Sequence, residues 1–301
     1  MKNTYTLENP LPPPWIMYPN IPPRSIGWRM GYGEFYIFTF CDWFKSLSKD
    51  EQNIYQDMFP EPKKTWHWFY TGDIKEYLEE TSDETRKIDY LDNNEEQKYS
   101  KEFFIKKEQQ KENLEFVFFW AAGDINYEPE CCFSQFQYSE FKEFVPYTCA
   151  EQFMMSKKAM IFGDKKIENE ILNSTSPKQM KLLGRKVKNF DEKIWDDIKY
   201  KVVTLGNYYK FSQNKRMRDI LLATGDKVIV EASPLDRIWG IGLSKSNEDA
   251  INIKAWRGLN LLGFALMEVR DELREVYKNY DKIDWSNLYD ETDWGIFDNN
   301  F

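Results

Sequence analysis

The segment CAEQFMMSKKAMIFGD, residues 149–164, constrains the fold of this chain more than any other feature of the sequence. Its apolar side chains point in nearly every direction around a helix, and such a helix is buried inside a protein. The segment therefore predicts a central helix that other secondary structure surrounds. Glu151 and Lys158 are seven residues apart in it, a spacing that places both on one stripe of the helix.

The two charged residues of this stripe have a structural and a chemical interpretation. Lys158 could extend its amine to solvent while Glu151 pairs with an arginine elsewhere. Alternatively, both side chains address one cavity from opposite ends of a rise of about 10.5 Å along the helix axis. Burial lowers the pKa of an amine and raises that of a carboxyl. In that case Lys158 would be a nucleophile or base, and Glu151 would be an acid.

Helical segments dominate the second half of the chain, and two stretches there have the character of strands. The predicted strands are residues 114–120 and 227–233, and a long amphipathic helix is expected from Trp256. The pattern contains no βαβ repeat and no phosphate-binding loop. We therefore expect an α+β fold that is predominantly helical, with a small β component.

The N-terminal part of the chain differs in composition from the rest. Residues 1–30 are rich in proline and are expected to run extended over a surface. Residues 76–113 are mostly charged and polar, which predicts a solvated helix or a charged linker. We therefore place an aromatic- and proline-rich N-terminal domain without assigned function at residues 1–110, a second domain at 111–280 and an acidic tail at 281–301.

Charge and cysteine usage exclude several classes of protein. The formal net charge of −9 provides no global positive field to attract nucleic acid, although a local nucleotide pocket is still compatible with it. The chain has a single histidine, His67, and its four cysteines form no CxxC pair. We therefore expect no metal ion, no cofactor and reduced thiols. Because there is no signal peptide and no apolar run long enough for a bilayer, we expect a soluble, intracellular (cytoplasmic) protein without membrane association.

A loop after the second predicted strand has side chains that suit a nucleotide ligand. Glu231, Asp236 and Trp239 lie within nine positions of each other. Gly240 allows the backbone to approach a ligand closely. A carboxylate and a tryptophan on such a loop suit a ribose hydroxyl and a stacked base, whereas the alternative is a structural turn.

Three polar residues at predicted helix ends are candidates for phosphate contacts. Arg185 follows one helix, and Lys210 and Gln213 lie at the end of another. Cations at helix ends are usually solvated or complement the helix dipole. They could equally hold phosphates.

Collinear blocks over roughly residues 115–275 resemble the NADAR family, also called YbiA-like. In order, the blocks are FFW, FSQF, CAEQFMMSKKAMIFGD, LGRKVKNF, W, KFSQN, LLATGD, IVEASPLDRIWGIG and WRGLNLLGFALMEVR. The resemblance implies an N-glycosidase that acts at the anomeric carbon of a ribose. The family has the pair AE, a gap of six residues and then the pair KA. Ala150-Glu151 and Lys158-Ala159 match these two pairs, whereas Lys157 lies one position before the lysine of the pattern.

The resemblance also implies roles for individual residues. Lys158 would be the nucleophile, Glu151 would transfer protons, and Asp236 would bind the ribose or assist acid–base catalysis. The implied substrate contacts are Trp120 and Trp239 for stacking, Arg185 and Lys210 for phosphate, and Ser134, Gln135, Gln213, Glu231, Gly240 and Asn260. Gln135 departs from the family, which has asparagine at this position. The resemblance therefore does not determine which substrate atom Gln135 contacts.

Three functions follow as alternatives. The first is removal of ADP-ribose from ADP-ribosylated guanine, either in DNA or RNA or in nucleotides. The second is cleavage of a ribosylamino-pyrimidine phosphate intermediate of riboflavin synthesis, and the third is a non-catalytic module that binds ADP-ribose or NAD. The expected ligand is accordingly an ADP-ribose-type or ribosyl-phosphate small molecule. The presence of Glu151, Lys158 and Asp236 argues against the third function, because a pure binding module has no need of a buried amine.

Overall fold

Contacts along the chain divide the protein into two units. The computed structural model describes residues 5–67, 69–72 and 96–288. One unit is formed by residues 1–81 and 272–301, and the other by residues 82–271.

Parts of two predicted segments lie outside the described residues. These parts are residues 76–95 of the predicted charged linker and residues 289–301 of the predicted acidic tail. The domain limits at residues 110 and 280 stay predictions.

Aromatic side chains form the core of the unit that contains the N-terminus. Its helices are α1 (Pro14–Met17), α2 (Tyr32–Ser46) and α3 (Lys49–Met58), with a short last helix at Trp285–Leu288. Helix α3 begins with a capping box between Ser48 and Glu51, which satisfies two backbone donors at the helix start.

The proline-rich segment of this unit is buried, and its predicted course over a surface is wrong for residues 10–18. The Tyr55 hydroxyl donates to the carbonyl of Leu11 at 2.6 Å, and the Tyr36 hydroxyl donates to the carbonyl of Pro12. Both tyrosine rings are fully buried. Proline has no N–H that needs a hydrogen-bond acceptor. For a proline-rich segment to be buried, it is mainly the carbonyls that need donors, and the two tyrosine hydroxyls provide them.

The second unit surrounds the predicted central helix. Its helices are α4 (Lys101–Gln109), α5 (Ala150–Ile161), α6 (Lys165–Leu172), α7 (Pro177–Gly184), α8 (Glu192–Gln213), α9 (Lys215–Ala223) and the greater part of α10 (Leu261–Val276). Helix α5 packs against α6, α7 and α8, and each of its residues except Lys158 is buried. The prediction of a central buried helix is confirmed.

Small residues allow two helices to approach α5 closely. A side-chain carbon at Gly206 of α8 would lie 2.6 Å from the ring of Phe153, and one at Gly184 of α7 would lie 2.1 Å from the sulfur of Met155. The second approach brings the end of α7 against the first turns of α5. That contact positions the cations of α7 near Glu151.

The strands of this unit are short and far apart in sequence. They are β1 (Phe116–Phe119), β2 (Phe141–Lys142), β3 (Pro146–Tyr147) and β4 (Val228–Glu231). The parallel pair is β1 with β4, in which Phe119 lies opposite Glu231, and β2 pairs antiparallel with β3. Both predicted strands are therefore confirmed. Because parallel strands end at the same edge, Trp120 and the loop after Glu231 start side by side.

Helix α10 begins five residues later than the predicted start at Trp256. Asn260, immediately before the helix, has a positive φ of 56°, a conformation that asparagine tolerates better than most residues. Its side-chain amide donates to the carbonyl of Ile229 at 2.9 Å, and its side-chain carbonyl accepts from the N–H of Glu231 at 3.0 Å. Asn260 thus fastens the chain to β4 before the helix starts.

The expected fold class is confirmed, because helices prevail and the strands of the described residues are only two to four residues long. No helix within the described ranges is long and apolar enough to cross a membrane.

Candidate active site

Glu151, in the first turn of α5, is a buried carboxyl with an unmatched oxygen. The residue is 2% exposed, and its Oε1 has no hydrogen-bond partner among the described residues. Burial raises its pKa to about 7; the charge of Asp236 raises it too, whereas Lys181 and Arg185 lower it. A carboxyl with this pKa can donate or accept a proton near neutral pH.

Glu231, the last residue of β4, supplies a second carboxyl of the same kind. Its Oε2 is buried and has no partner among the described residues. Burial, together with the charges of Asp236 and Glu151, raises its pKa to about 8, and Lys181 opposes this rise. The structure therefore brings Glu151, Glu231 and Asp236 together, and we name them the carboxyl cluster. Like charges in one cluster favour protonated members at neutral pH.

Asp236, the third member of the carboxyl cluster, also shapes its own loop. Its Oδ1 accepts hydrogen bonds from the backbone of Ile238 at 2.9 Å and of Trp239 at 2.8 Å. Gly240 lets this loop fold back, since a side-chain carbon there would lie 2.8 Å from the carbonyl of Glu231. The loop is thus a tight turn, and the charge of Asp236 in it acts on the other two carboxyls. Its contacts with a ribose hydroxyl and a stacked base stay predictions.

Lys158 lies on α5 with its amine apart from the charges that act on the carboxyl cluster. Its Nζ lies 3.9 Å from the ring centroid of Phe190 and 5.6 Å from that of Trp195. Burial lowers the pKa of this amine, and no hydrogen bond or ion pair to it is found among the described residues. The cations that act on Glu151 are instead Lys181 and Arg185.

Lys157, the neighbouring lysine, has a different environment. It is buried and forms an ion pair with the equally buried Glu143. The amine of Lys157 is therefore engaged in a structural ion pair. The distinction between Lys157 and Lys158 that the family pattern makes therefore corresponds to two distinct surroundings.

Gln135 provides a third set of unmatched polar atoms beside Glu151. Its side chain is 9% exposed, and neither its Oε1 nor its Nε2 has a partner among the described residues. Its backbone carbonyl accepts from the N–H of Glu151 at 3.0 Å. A buried amide with a free donor and a free acceptor has the chemistry to bind a polar ligand, because leaving it unmatched is unfavourable.

Lys210 supports this loop from inside the protein. It is fully buried, and its ammonium donates to the carbonyl of Ser134 at 2.9 Å. Burial lowers its pKa to about 8. Its predicted phosphate contact is not favoured by this position, because the amine already binds the residue before Gln135.

The remaining predicted contacts fall into two groups. Gln213 binds both the N–H and the carbonyl of Lys142 in β2, at 2.7 and 2.6 Å, and Asn260 binds β4. The polar atoms of these two side chains therefore hydrogen-bond to backbone groups of the fold. Trp120, which is 58% exposed, and the exposed Arg185 have surfaces available to a ligand, and Trp239 is half-buried.

Lys181 is a site residue that the sequence did not single out. It lies in the last turn of α7, acts on both Glu151 and Glu231, and its Nζ lies 5.9 Å from the ring centroid of Phe136. In sequence it is one lysine among several on a surface helix. Only the packing of α7 on α5 shows its relation to the carboxyls.

The acidity of Glu151 makes a testable prediction for stability. Its pKa is about 7 in the folded protein against an ordinary 4.5, so the folded state holds the proton more tightly. The stability from this group is present below pH 4.5 and is lost as the pH rises through about 7. Buried carboxyls of this kind contribute on the order of 1–3 kcal/mol. Urea unfolding between about pH 4.5 and 7.5 should show this decrease, and it should be smaller in Glu151→Gln.

An exposed carboxyl on α6 provides the control for this measurement. Glu170→Gln should keep the pH dependence of the wild type, because its side chain is 44% exposed. Equal pH dependence in Glu151→Gln and wild type would show that Glu151 has an ordinary pKa.

Potential metal ligands are scattered in the structure. Across residues 5–67, 69–72 and 96–288, no group of three or more His, Cys, Asp or Glu side chains is placed to hold a metal ion.

The region that contains this site is similar to known proteins. The family model described as the NADAR domain matches residues 118–274. A protein of Acanthamoeba polyphaga mimivirus named N-glycosidase R617 is 44% identical over 54% of this chain and 98% of its own length. Protein irg-1 of Caenorhabditis elegans is 40% identical over 51% of this chain and 81% of its own length.

A further relative has a name that concerns a pathway. The riboflavin biosynthesis protein VVA0006 of Vibrio vulnificus is 32% identical over 46% of this chain and 35% of its own length. Relatives from Nostoc punctiforme and Shigella also carry the name N-glycosidase.

Proposed function

This chain belongs to the NADAR domain family, and from that membership we propose that it removes ADP-ribose from ADP-ribosylated guanine. The relatives named N-glycosidase make it an enzyme that hydrolyses N-glycosyl bonds. The observation that carries the proposal is the carboxyl cluster, in which Glu151 and Glu231 have pKa values of about 7 and 8. Protonated carboxyls beside a carboxylate suit the cleavage of a ribosyl C1–N bond.

The departure of the base needs a proton and a stabilised sugar cation. As the C1–N bond breaks, its electron pair goes to the base nitrogen, which takes a proton from the carboxyl of Glu151. Positive charge develops at C1 and the ring oxygen, and a nearby carboxylate stabilises it. Asp236 is the member of the cluster suited to this role, since its charge acts on both Glu151 and Glu231.

Lys158 supplies the covalent step of the proposed reaction. Its free amine attacks C1 of the ribose in place of the departed base. The bond between C1 and the ring oxygen then breaks, its electron pair goes to that oxygen, which takes a proton from the lysine nitrogen, and a protonated Schiff base with the ring-opened sugar remains. Water then adds to this imine, the C–N bond to the lysine breaks, and ADP-ribose and the amine are released. The lowered pKa of Lys158 supports this role, because a larger fraction of the amine is unprotonated at neutral pH.

The ADP-ribose part of the substrate is supported by groups around the cluster. Trp120 follows β1 at the edge where Glu231 ends β4, and it is exposed enough to stack on a base. Lys181 and Arg185 add positive charge near the carboxyls, as a diphosphate requires. The free amide of Gln135 offers a donor and an acceptor to the sugar or the base.

A ribosylamino-pyrimidine phosphate is the second candidate substrate. It is favoured by the relative named riboflavin biosynthesis protein, and it needs the same cleavage at C1. A module that only binds ADP-ribose has less support, because binding alone does not require two carboxyls with pKa values of about 7 and 8.

Release of the base decides between the candidate substrates. The protein is incubated with ADP-ribosylated guanosine or ADP-ribosylated DNA, and separately with the ribosylamino-pyrimidine phosphate, and mass spectrometry follows the free base. We expect release of guanine-containing product and little turnover of the pyrimidine. The Glu170→Gln variant is the matched control for Glu151→Gln, which should lose most activity. Turnover of the pyrimidine alone would reassign the substrate, and binding of ADP-ribose without any turnover would favour the binding module.

A further inference from the structure

An aromatic pair surrounds the amine of Lys158 in a way that the proposed reaction does not use. The Nζ lies 3.9 Å from the ring centroid of Phe190 and 5.6 Å from that of Trp195, at the start of α8. A cation within about 6 Å of an aromatic face is attracted to it. Phe162 packs against Phe190 with centroids 5.2 Å apart and ring planes at 68°, and this contact holds the Phe190 ring in place.

We propose that Phe190 and Trp195 form an aromatic seat that holds Lys158 as an ammonium ion between turnovers and releases it when substrate arrives. The proposal rests on the proposed role of Lys158 as nucleophile. Phe190 and Trp195 are positioning residues in it, because they act on the lysine and contact no reacting atom of the substrate. The flexible lysine stem carries the amine between the rings and C1.

The seat affects the protonation of the amine through two opposing effects. Burial disfavours the ammonium and lowers the pKa of Lys158. The ring faces favour the ammonium and oppose that effect. When the side chain leaves the rings, the second effect is lost. The ammonium then gives its proton to water more readily, and the free amine forms where the reaction needs it.

Two of the carboxylates near the seat have other partners. On the α8 side, an open groove beside Phe190 is lined by Asp191, Glu192, Lys193, Asp196 and Asp197. Asp191 caps α8 by accepting from the N–H groups of residues 193 and 194, and Asp196 pairs with a lysine of the next turn. Both carboxylates are thus engaged elsewhere, whereas the amine of Lys158 lies over the two rings.

The charged groups on the other sides of Lys158 are also engaged. On α5 itself, Lys157 pairs with Glu143. At the start of α6, the carboxylate of Asp164 accepts from the N–H groups of Ile167 and Lys188. On α7, Lys181 acts on the carboxyl cluster. The pKa of Lys158 is lowered by burial, and no ion pair to its amine is found among the described residues. Removal of a ring therefore tests the seat without a competing ion pair.

The experiment measures the protonation of Lys158 directly. Competitive labelling of lysines with trace isotope-labelled acetic anhydride, read by peptide mass spectrometry, gives the pKa of each amine without requiring turnover. Phe190→Leu keeps an apolar side chain over the amine and removes the ring face. We expect the pKa of Lys158 to fall by about half to one pH unit in this variant. Phe190→Trp should restore it, because the ring face returns.

A second lysine–phenylalanine pair provides the matched control. Lys107 lies with its Nζ 5.6 Å from the ring centroid of Phe103 on α4. Phe103→Leu should leave the pKa of Lys158 unchanged, and each variant is checked for its wild-type circular dichroism spectrum. Should Phe190→Leu fail to fold, Trp195→Phe and Phe190→Trp still test whether the size of the ring face affects the pKa.

Opposite outcomes separate the seat from the proposed function. An unchanged or higher pKa of Lys158 in Phe190→Leu would overturn the seat, because burial would then be the only effect of the ring. Borohydride reduces the Schiff base between Lys158 and the sugar to a stable adduct. This trapped adduct should form at lower pH in Phe190→Leu than in wild type, by the same shift. If no adduct forms in any variant while the pKa still falls, the nucleophile assignment fails and the aromatic contact stands.

Discussion

Lys158→Ala is expected to lower turnover by at least about 1,000-fold and to abolish the adduct that borohydride traps in the wild type. Borohydride reduces a Schiff base to a stable secondary amine, so the wild-type adduct should lie on the peptide that contains Lys158. The variant has no amine at this position of α5. The carboxyl cluster remains in place and should sustain only a small residual rate.

Two further variants make this result specific. Lys158→Arg keeps a cation over Phe190 and Trp195 but cannot form a Schiff base, so it should be as inactive as Lys158→Ala. Lys166→Ala removes a lysine whose side chain is 81% exposed on α6, and it should retain full activity. Full turnover by Lys158→Ala would exclude the covalent mechanism and leave acid catalysis by the carboxyl cluster alone.

Lys157→Ala is expected to lower the free energy of unfolding by about 3–5 kcal/mol. The side chains of Lys157 and Glu143 are each only 5% exposed, and they form an ion pair. Removal of the lysine deletes this ion pair while the carboxyl of Glu143 stays buried. The variant also loses the contact of Nζ with Phe153 in α5, whose ring centroid lies 5.2 Å away.

Urea unfolding of three variants tests the buried pair. The double variant Lys157→Met/Glu143→Leu should recover most of the lost stability, because apolar groups of similar size often replace a buried ion pair without loss. Lys166→Ala breaks the exposed pair with Glu170 and should change stability by less than about 0.5 kcal/mol. A Lys157→Ala variant as stable as Lys166→Ala would mean that the buried pair contributes nothing.

The central helix and its strands were predictable because local patterns determine them. Helix α5 is apolar on all sides, and β1 and β4 are short apolar runs. These patterns depend on neighbours within one or two turns of the chain. The start of α10 was not predictable in the same way, because Asn260 binds β4 from thirty residues away.

The candidate site shows the same division between local and distant effects. The spacing of Glu151 and Lys158 is visible in the sequence, but the pKa of Glu151 depends on Asp236 and Lys181, which come from other elements. The pairing of Lys157 with Glu143 depends on the hairpin of β2 and β3. The sequence alone does not show how deeply these side chains are buried or which groups surround them.

The parallel pairing of β1 with β4 has a consequence for how the enzyme becomes active during folding. Its partners, such as Phe116 and Val228, are more than one hundred residues apart, and closing such a large loop is entropically unfavourable. Contacts of this range form slowly. Because Glu231 ends β4 beside Trp120, the carboxyl cluster is complete only after this pairing. A growing chain therefore carries no working glycosidase until residues beyond β4 have been synthesised.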